Sequence, residues 1–219
     1  VVAVSADGST MAGTAYGGPQ GAQPFIWRDN VGFVGLYDLI NDNSITSGYA
    51  VDISGDGSLV CGQVNRPAGV GVVESTPFVW TIPIDTSLWA YEEVGIVGDG
   101  HSLTSSVQGI SRDGSTIVGT YLDTLPACPG SLYPDDVIAH GYRYVIGDSA
   151  IEPLGFLPDG DCTDRQYGGV FDMYVNAVSG DGSVVVGNGG RQIDNQFNTL
   201  SPVYEAFRWD GSMAGLDNI

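Results

Sequence analysis

The chain has 219 residues and carries 26 acids against 7 bases, a formal net charge of -19. All the bases are Arg, with Lys absent, and 21 of the acids are Asp; a field of this sign opposes nucleic acid and anionic membrane surfaces. No run of about 18 apolar residues occurs, which leaves no candidate for an apolar membrane span.

The first predicted element is a hairpin in A-V-S-A-D-G-S-T-M-A-G, residues 3 to 13, and it recurs at 51 to 62, 108 to 119 and 176 to 187. Each copy places a short Val/Ile/Ala run on either side of a Ser-x-Asp-Gly turn. Asp tolerates the left-handed region and bonds nearby backbone, while Gly takes positive φ without a Cβ clash. The turn residues Asp7, Asp56, Asp113 and Asp181 are therefore read as structural rather than as a catalytic or metal array.

After each hairpin comes a second recurrent pattern: P-F-I-W at 24 to 27, P-F-V-W at 77 to 80, G-Y-R-Y at 141 to 144 and A-F-R-W at 206 to 209. Aromatics at period 2 mark a strand with one aromatic face, and a turn and another short strand follow. A pair that recurs at one position of every repeat is expected in a buried layer between sheets.

The repeat unit is thus two hairpins, four strands in all. Turn aspartates lie 49, 57 and 68 residues apart, with the variation in insertions. Many short strands, 33 Gly and 11 Pro, and no sustained 3.6-residue period predict an all-β chain. A four-stranded unit of about 40 to 50 residues, repeated, predicts a β-propeller with four four-stranded blades, either alone or as part of a larger array. We expect a single domain over 1–219, with repeats at approximately 1–48, 49–106, 107–174 and 175–219.

In a four-stranded blade the first-to-second and third-to-fourth turns share one face, and they are mostly short here, with a longer one at 81 to 87. The remaining connections, at roughly 15 to 23, 39 to 49, 63 to 76, 94 to 106, 121 to 140, 156 to 174 and 188 to 205, share the other face and are expected as long loops. Variable loops on a rigid scaffold carry binding. Loop aromatics Tyr16, Tyr133, Tyr167, Phe171, Tyr174 and Phe197 are candidates for a glycan platform there.

Cys128 and Cys162 fall in two of these insertions, and a disulfide between them fits an oxidising compartment. Cys61 falls in a strand and is read as a buried free thiol. Asp159, Asp161 and Asp164 in L-P-D-G-D-C-T-D have a spacing that can wrap oxygen ligands round Ca²⁺, though Asp-rich loops are also often simply solvated. His101 and His140 are expected in loops. No zinc ligand cluster, nucleophile elbow or phosphate-binding loop is present, so an enzyme would have to draw on carboxylates such as Asp135, Asp136, Glu152 or Asp172.

The order A-V-S-x-D-G-S-x-V-V-G, then A-F-x-W, then G-x-x-x-L resembles the bacterial extracellular repeats of the HAF family, and more loosely the WD-type propeller blade. None of the four units has an intact His-Ala-Phe; Ala206-Phe207 and His140-Gly141-Tyr142 come nearest. The resemblance implies a secreted or surface-attached propeller-like repeat and transfers no catalytic residue. No secretory leader is read at the start, and Val1 lies in an apolar run instead of at a Met. That start favours a processed protein or a segment of a longer chain. The expected function is an extracellular or cell-surface binding module for a glycan or protein on the long-loop face, without membrane insertion. A self-assembling structural subunit and a carboxylate-dependent glycan-active enzyme are the alternatives.

Overall fold

The computed structural model describes residues 1–18, 21–40, 42–83, 88–94, 105–125, 136–157, 172–194 and 200–216. They form four antiparallel sheets of four strands, each sheet running through its strands in chain order. The first sheet holds β1 (Ala3–Val4), β2 (Thr10–Gly18), β3 (Gly21–Arg28) and β4 (Gly32–Gly35); the second holds β5 (Ser47–Ile53), β6 (Leu59–Gly69), β7 (Val72–Thr81) and β8 (Ala90–Glu93). The third holds β9 (Ser105–Ile110), β10 (Thr116–Leu125), β11 (Asp136–Val145) and β12 (Glu152–Pro153). The fourth holds β13 (Met173–Val178), β14 (Val185–Asp194), β15 (Leu200–Trp209) and β16 (Met213–Gly215). The chain is all-β, with a 3-10 turn at Leu36–Asp38 following β4.

Three cores lie between successive sheets. Ala12, Ile26 and Leu36 of the first sheet pack with Ile53, Val60, Phe78 and Trp80 of the second. Cys61, Val79 and Val94 of the second meet Ile110, Ile117, Tyr142 and Tyr144 of the third. Val118, Leu154 and Leu157 then meet Met173, Val185, Phe207 and Trp209 of the fourth. The recurrent aromatic pair therefore belongs to the face each sheet turns to its predecessor. Cys61 is a fully buried free thiol.

The glycine that closes each repeat is fixed by this packing. Gly62, Gly119 and Gly187 pair across the ladder with Phe78, Tyr142 and Phe207, whose rings lie over them. On the other side each faces a first-strand bulge. A Cβ there would fall about 2.0 to 2.1 Å from the carbonyl oxygens of Tyr49, Ser106 and Tyr174, respectively.

Of the connections expected as loops at 15 to 23, 63 to 76, 121 to 140 and 188 to 205, the described residues are largely strand. Pairing continues to Gly18↔Gly21, Gly69↔Val72, Leu125↔Asp136 and Asp194↔Leu200. Side-chain alternation reports burial, whereas a ladder needs only backbone groups, so a two-stranded ribbon leaving the core loses its pattern without losing its bonds. For the same reason His140, expected in a loop, lies in β11 and is buried.

Candidate functional site

The four Ser-x-Asp-Gly turns share one hydrogen-bond network. The Ser5, Ser54, Ser111 and Ser179 hydroxyls donate to Asp7, Asp56, Asp113 and Asp181 at 2.6 to 2.7 Å. The same hydroxyls accept the backbone N–H five residues on, at 2.9 to 3.0 Å. Each aspartate also accepts the N–H two residues on, at 2.9 to 3.1 Å. The Ser9 N–H and Ser5 hydroxyl lower Asp7 to about 2, and the Ser179 hydroxyl and Ser183 N–H do the same for Asp181. In each carboxylate Oδ1 accepts these bonds and so is used in closing the turn. These acids are structural.

Successive turns are also tied together by backbone bonds: Ala6 N–H to Gly55 O at 2.8 Å, Gly55 N–H to Arg112 O at 2.7 Å, and Asp113 N–H to Gly180 O at 3.0 Å. The first strands of the four sheets thereby line a common cavity of about 390 Å³. Val4 and Ala6, Asp52 and Ile53, Ile110 and Arg112, and Val178 and Gly180 supply its wall from the first to the fourth sheet in turn.

A second cavity, of about 330 Å³, opens at the strand ends away from those turns. The second sheet contributes Gln63 and Ser75, the third Ser105, Ser106, Gln108, Thr120 and Leu122, and the fourth Tyr174. Among the described residues, every polar side chain in this wall is a neutral amide or hydroxyl. Several are held in place: Ser105 Oγ donates to Ser75 O at 2.9 Å, Gln108 Nε2 donates to Ser106 Oγ at 3.1 Å, and Thr120 Oγ1 accepts Val175 N–H at 3.3 Å. Burial raises the Tyr174 phenol, and the Asp172 carboxylate, to which it hydrogen-bonds, adds to the shift. The Tyr174 side chain remains exposed.

Of the aromatics singled out in the sequence, Tyr174 lines this cavity, whereas Tyr16 stands exposed on β2 of the first sheet and is not part of its wall. Tyr133, Tyr167, Phe171 and Phe197 lie outside the described residues, as do Asp159, Asp161 and Asp164, and both Cys128 and Cys162. Among the described residues no three His, Cys, Asp or Glu side chains come together as a metal site. Of the candidate catalytic acids, Glu152 pairs with Arg143 at 3.0 Å and Asp172 accepts Ala139 N–H at 2.9 Å; Asp135 is outside the described residues. The Gln63, Ser106 and Gln108 wall was not legible in the sequence, because uncharged polar residues at strand ends look the same whether they face a cavity or bulk water. No protein-family model and no curated protein matches the chain.

Proposed function

We propose that the chain is a run of four β-propeller-type blades acting as an extracellular or cell-surface binding module, with a neutral glycan as ligand. The carrying observation is the uncharged cavity of Gln63, Ser105, Ser106, Gln108 and Tyr174, set in a chain of net charge -19. Amides and hydroxyls matched to an exposed tyrosine ring suit a hydroxyl-rich, uncharged ligand: the polar groups orient it and the ring covers an apolar sugar face. Four sheets in chain order, each packed on the next with first strands innermost, support the propeller reading. A cavity of about 330 Å³ is at the small end of ligand sites, so a short saccharide stretch is the unit recognised.

Titration calorimetry with neutral and with uronate-containing oligosaccharides tests this. Saturable binding of a neutral oligosaccharide is expected, weakened about tenfold or more by Tyr174→Ala, with little binding of the anionic series. Absence of binding across the neutral series, or affinity indifferent to both Tyr174→Ala and Gln108→Ala, overturns the reading.

A further inference from the structure

The saccharide cavity and the buried His140 are linked by one carboxylate. Asp172 immediately precedes β13 of the fourth sheet, and its Oδ1 accepts the Ala139 N–H of β11 in the third sheet at 2.9 Å. Two residues on, the Tyr174 hydroxyl bonds the same carboxylate. Tyr174 lines the cavity and is 43% exposed, so this bond fixes the aromatic group of the described wall.

Behind Asp172 lies a titratable side chain with nothing to bond. His140 is only 8% exposed; its ring stacks on Tyr121 at 5.1 Å between centres and meets Phe156 edge-on at 4.9 Å. Its Nε2 is buried and has no hydrogen-bond partner among the described residues. A neutral imidazole is stable in such a place, whereas an imidazolium needs a counter-charge. Among the described residues, the charged groups that face it are Asp123 of β10 and Asp172, and the other titratable neighbour is the Tyr121 phenol. Burial lowers His140 while both carboxylates oppose the shift. Of the two, Asp172 also holds the cavity's tyrosine.

We propose that Asp172 is the positioning residue of the saccharide site and that protonation of His140 draws it off Tyr174, so that binding at this cavity weakens as pH falls. With His140 neutral, the carboxylate accepts the Tyr174 hydroxyl and the Ala139 N–H. Once His140 takes up a proton, both ring nitrogens are donors. The carboxylate then turns from a neutral phenol to a buried cation, because the charge-assisted bond is the stronger. Tyr174 loses its fixed orientation, and the ring no longer presents one face to a sugar. The effect on binding rests on the saccharide reading, but the link from His140 to Tyr174 can be read without a ligand.

Calorimetric titration of a neutral oligosaccharide between about pH 7.5 and 5 reads the coupling, in a window where the turn aspartates stay charged. Affinity is expected to fall about fivefold or more on acidification, with the fall centred below about pH 6.5 because burial lowers His140. His140→Phe flattens the profile. Asp172→Ala weakens binding across the range, and in a double-mutant cycle with Tyr174→Phe the two losses are strongly non-additive, since the carboxylate acts through the hydroxyl. Additive losses overturn the positioning role. In the ligand-free chain with isotope-labelled tyrosine, the Tyr174 ring resonances, assigned by their loss in Tyr174→Phe, are expected to shift with the midpoint of the His140 imidazole. That shift disappears in Asp172→Asn. A pH-independent affinity, or Tyr174 resonances that do not follow His140, overturns the proposal and leaves the saccharide reading standing. Resonances that follow His140 in a chain that binds no neutral saccharide support the link and overturn the saccharide reading instead. Circular dichroism at each pH separates these effects from loss of fold.

Discussion

At the scale of the residue, the same five positions are solved the same way four times. A serine hydroxyl donates to a turn aspartate and accepts a backbone N–H, and a glycine at φ 71 to 75° carries the reversal. The carboxylates are held below their ordinary range, Asp7 by the Ser9 N–H first and Asp113 by the Ser111 hydroxyl first; at Asp56 burial opposes the shift but the bonds from Ser54 and Ser58 outweigh it. His140 is displaced differently. Burial against Tyr121 and Phe156 lowers it, partly offset by Asp123 and Asp172, and its Nε2 has no hydrogen-bond partner among the described residues. Both kinds of group bind protons more readily in the unfolded chain, so each contributes stability that falls as pH falls. The melting temperature is therefore expected to drop first below about pH 6.5, as unfolded His140 protonates, and again from about pH 4 towards 2, as the turn carboxylates do. Calorimetric scans across this range check it: His140→Phe removes the first fall, and Asp7→Asn with Asp181→Asn shallows the second. The turn role of the aspartates was legible in the sequence because turn chemistry is local. The state of His140 was not, because nothing within a few residues of it says that β11 continues to that point.

The element-scale unit is a bulged first strand, a closing glycine on the second and an aromatic on the third. On the first strands the bulges fall between Ala50 and Asp52, Val107 and Gly109, and Val175 and Ala177. They bring a carbonyl onto the glycine from one side while the ring occupies the other. Gly62→Ala is accordingly expected to lower stability by about 1–3 kcal/mol through overpacking against the Tyr49 carbonyl and the Phe78 ring. Gly71→Ala, at a ribbon tip with no described neighbour within 4 Å, is expected to cost about 1–2 kcal/mol through its positive φ alone. Chemical denaturation of the two variants checks this, and a double-mutant cycle with Phe78→Ala separates the terms: Gly62→Ala is expected to cost less in the Phe78→Ala background than in the unsubstituted chain, whereas the cost of Gly71→Ala is expected to be the same in both. Period-2 aromatics and the recurrent Gly made the core half of each sheet legible. The ribbon half was not, because β6 beyond Val64 and β7 before Pro77 pair through backbone and carry exposed or half-buried residues of mixed type, Val72 and Val73 among them.

Across the whole molecule, sheet-on-sheet contact is what makes one body of four hairpin pairs, and the join between the first two sheets has a component with no counterpart in the repeat. Arg28 ends β3 buried. Its guanidinium donates to Thr10 Oγ1 at 3.0 Å, Gly57 O at 2.8 Å, Ile82 O at 2.9 Å and Pro83 O at 3.2 Å. Arg28→Met keeps the apolar stem but leaves those acceptors unpaired, so a loss of about 2–4 kcal/mol is expected. Hydrogen exchange would show the first sheet opening ahead of the others; uniform opening of all four sheets would count against this role. The amino-acid sequence by itself determined the strand-turn-strand unit, its fourfold recurrence, the turn role of the aspartates and the buried side of the aromatic pair. Each of these depends on contacts within a few residues or on a side-chain period. Only the tertiary structure decided that the supposed loops are ribbons, that Arg28 is buried, and that Tyr174 joins Gln63, Ser105 and Gln108 at one cavity. Those are outcomes of how one sheet is set against the next, and relations between sheets leave no period in the chain.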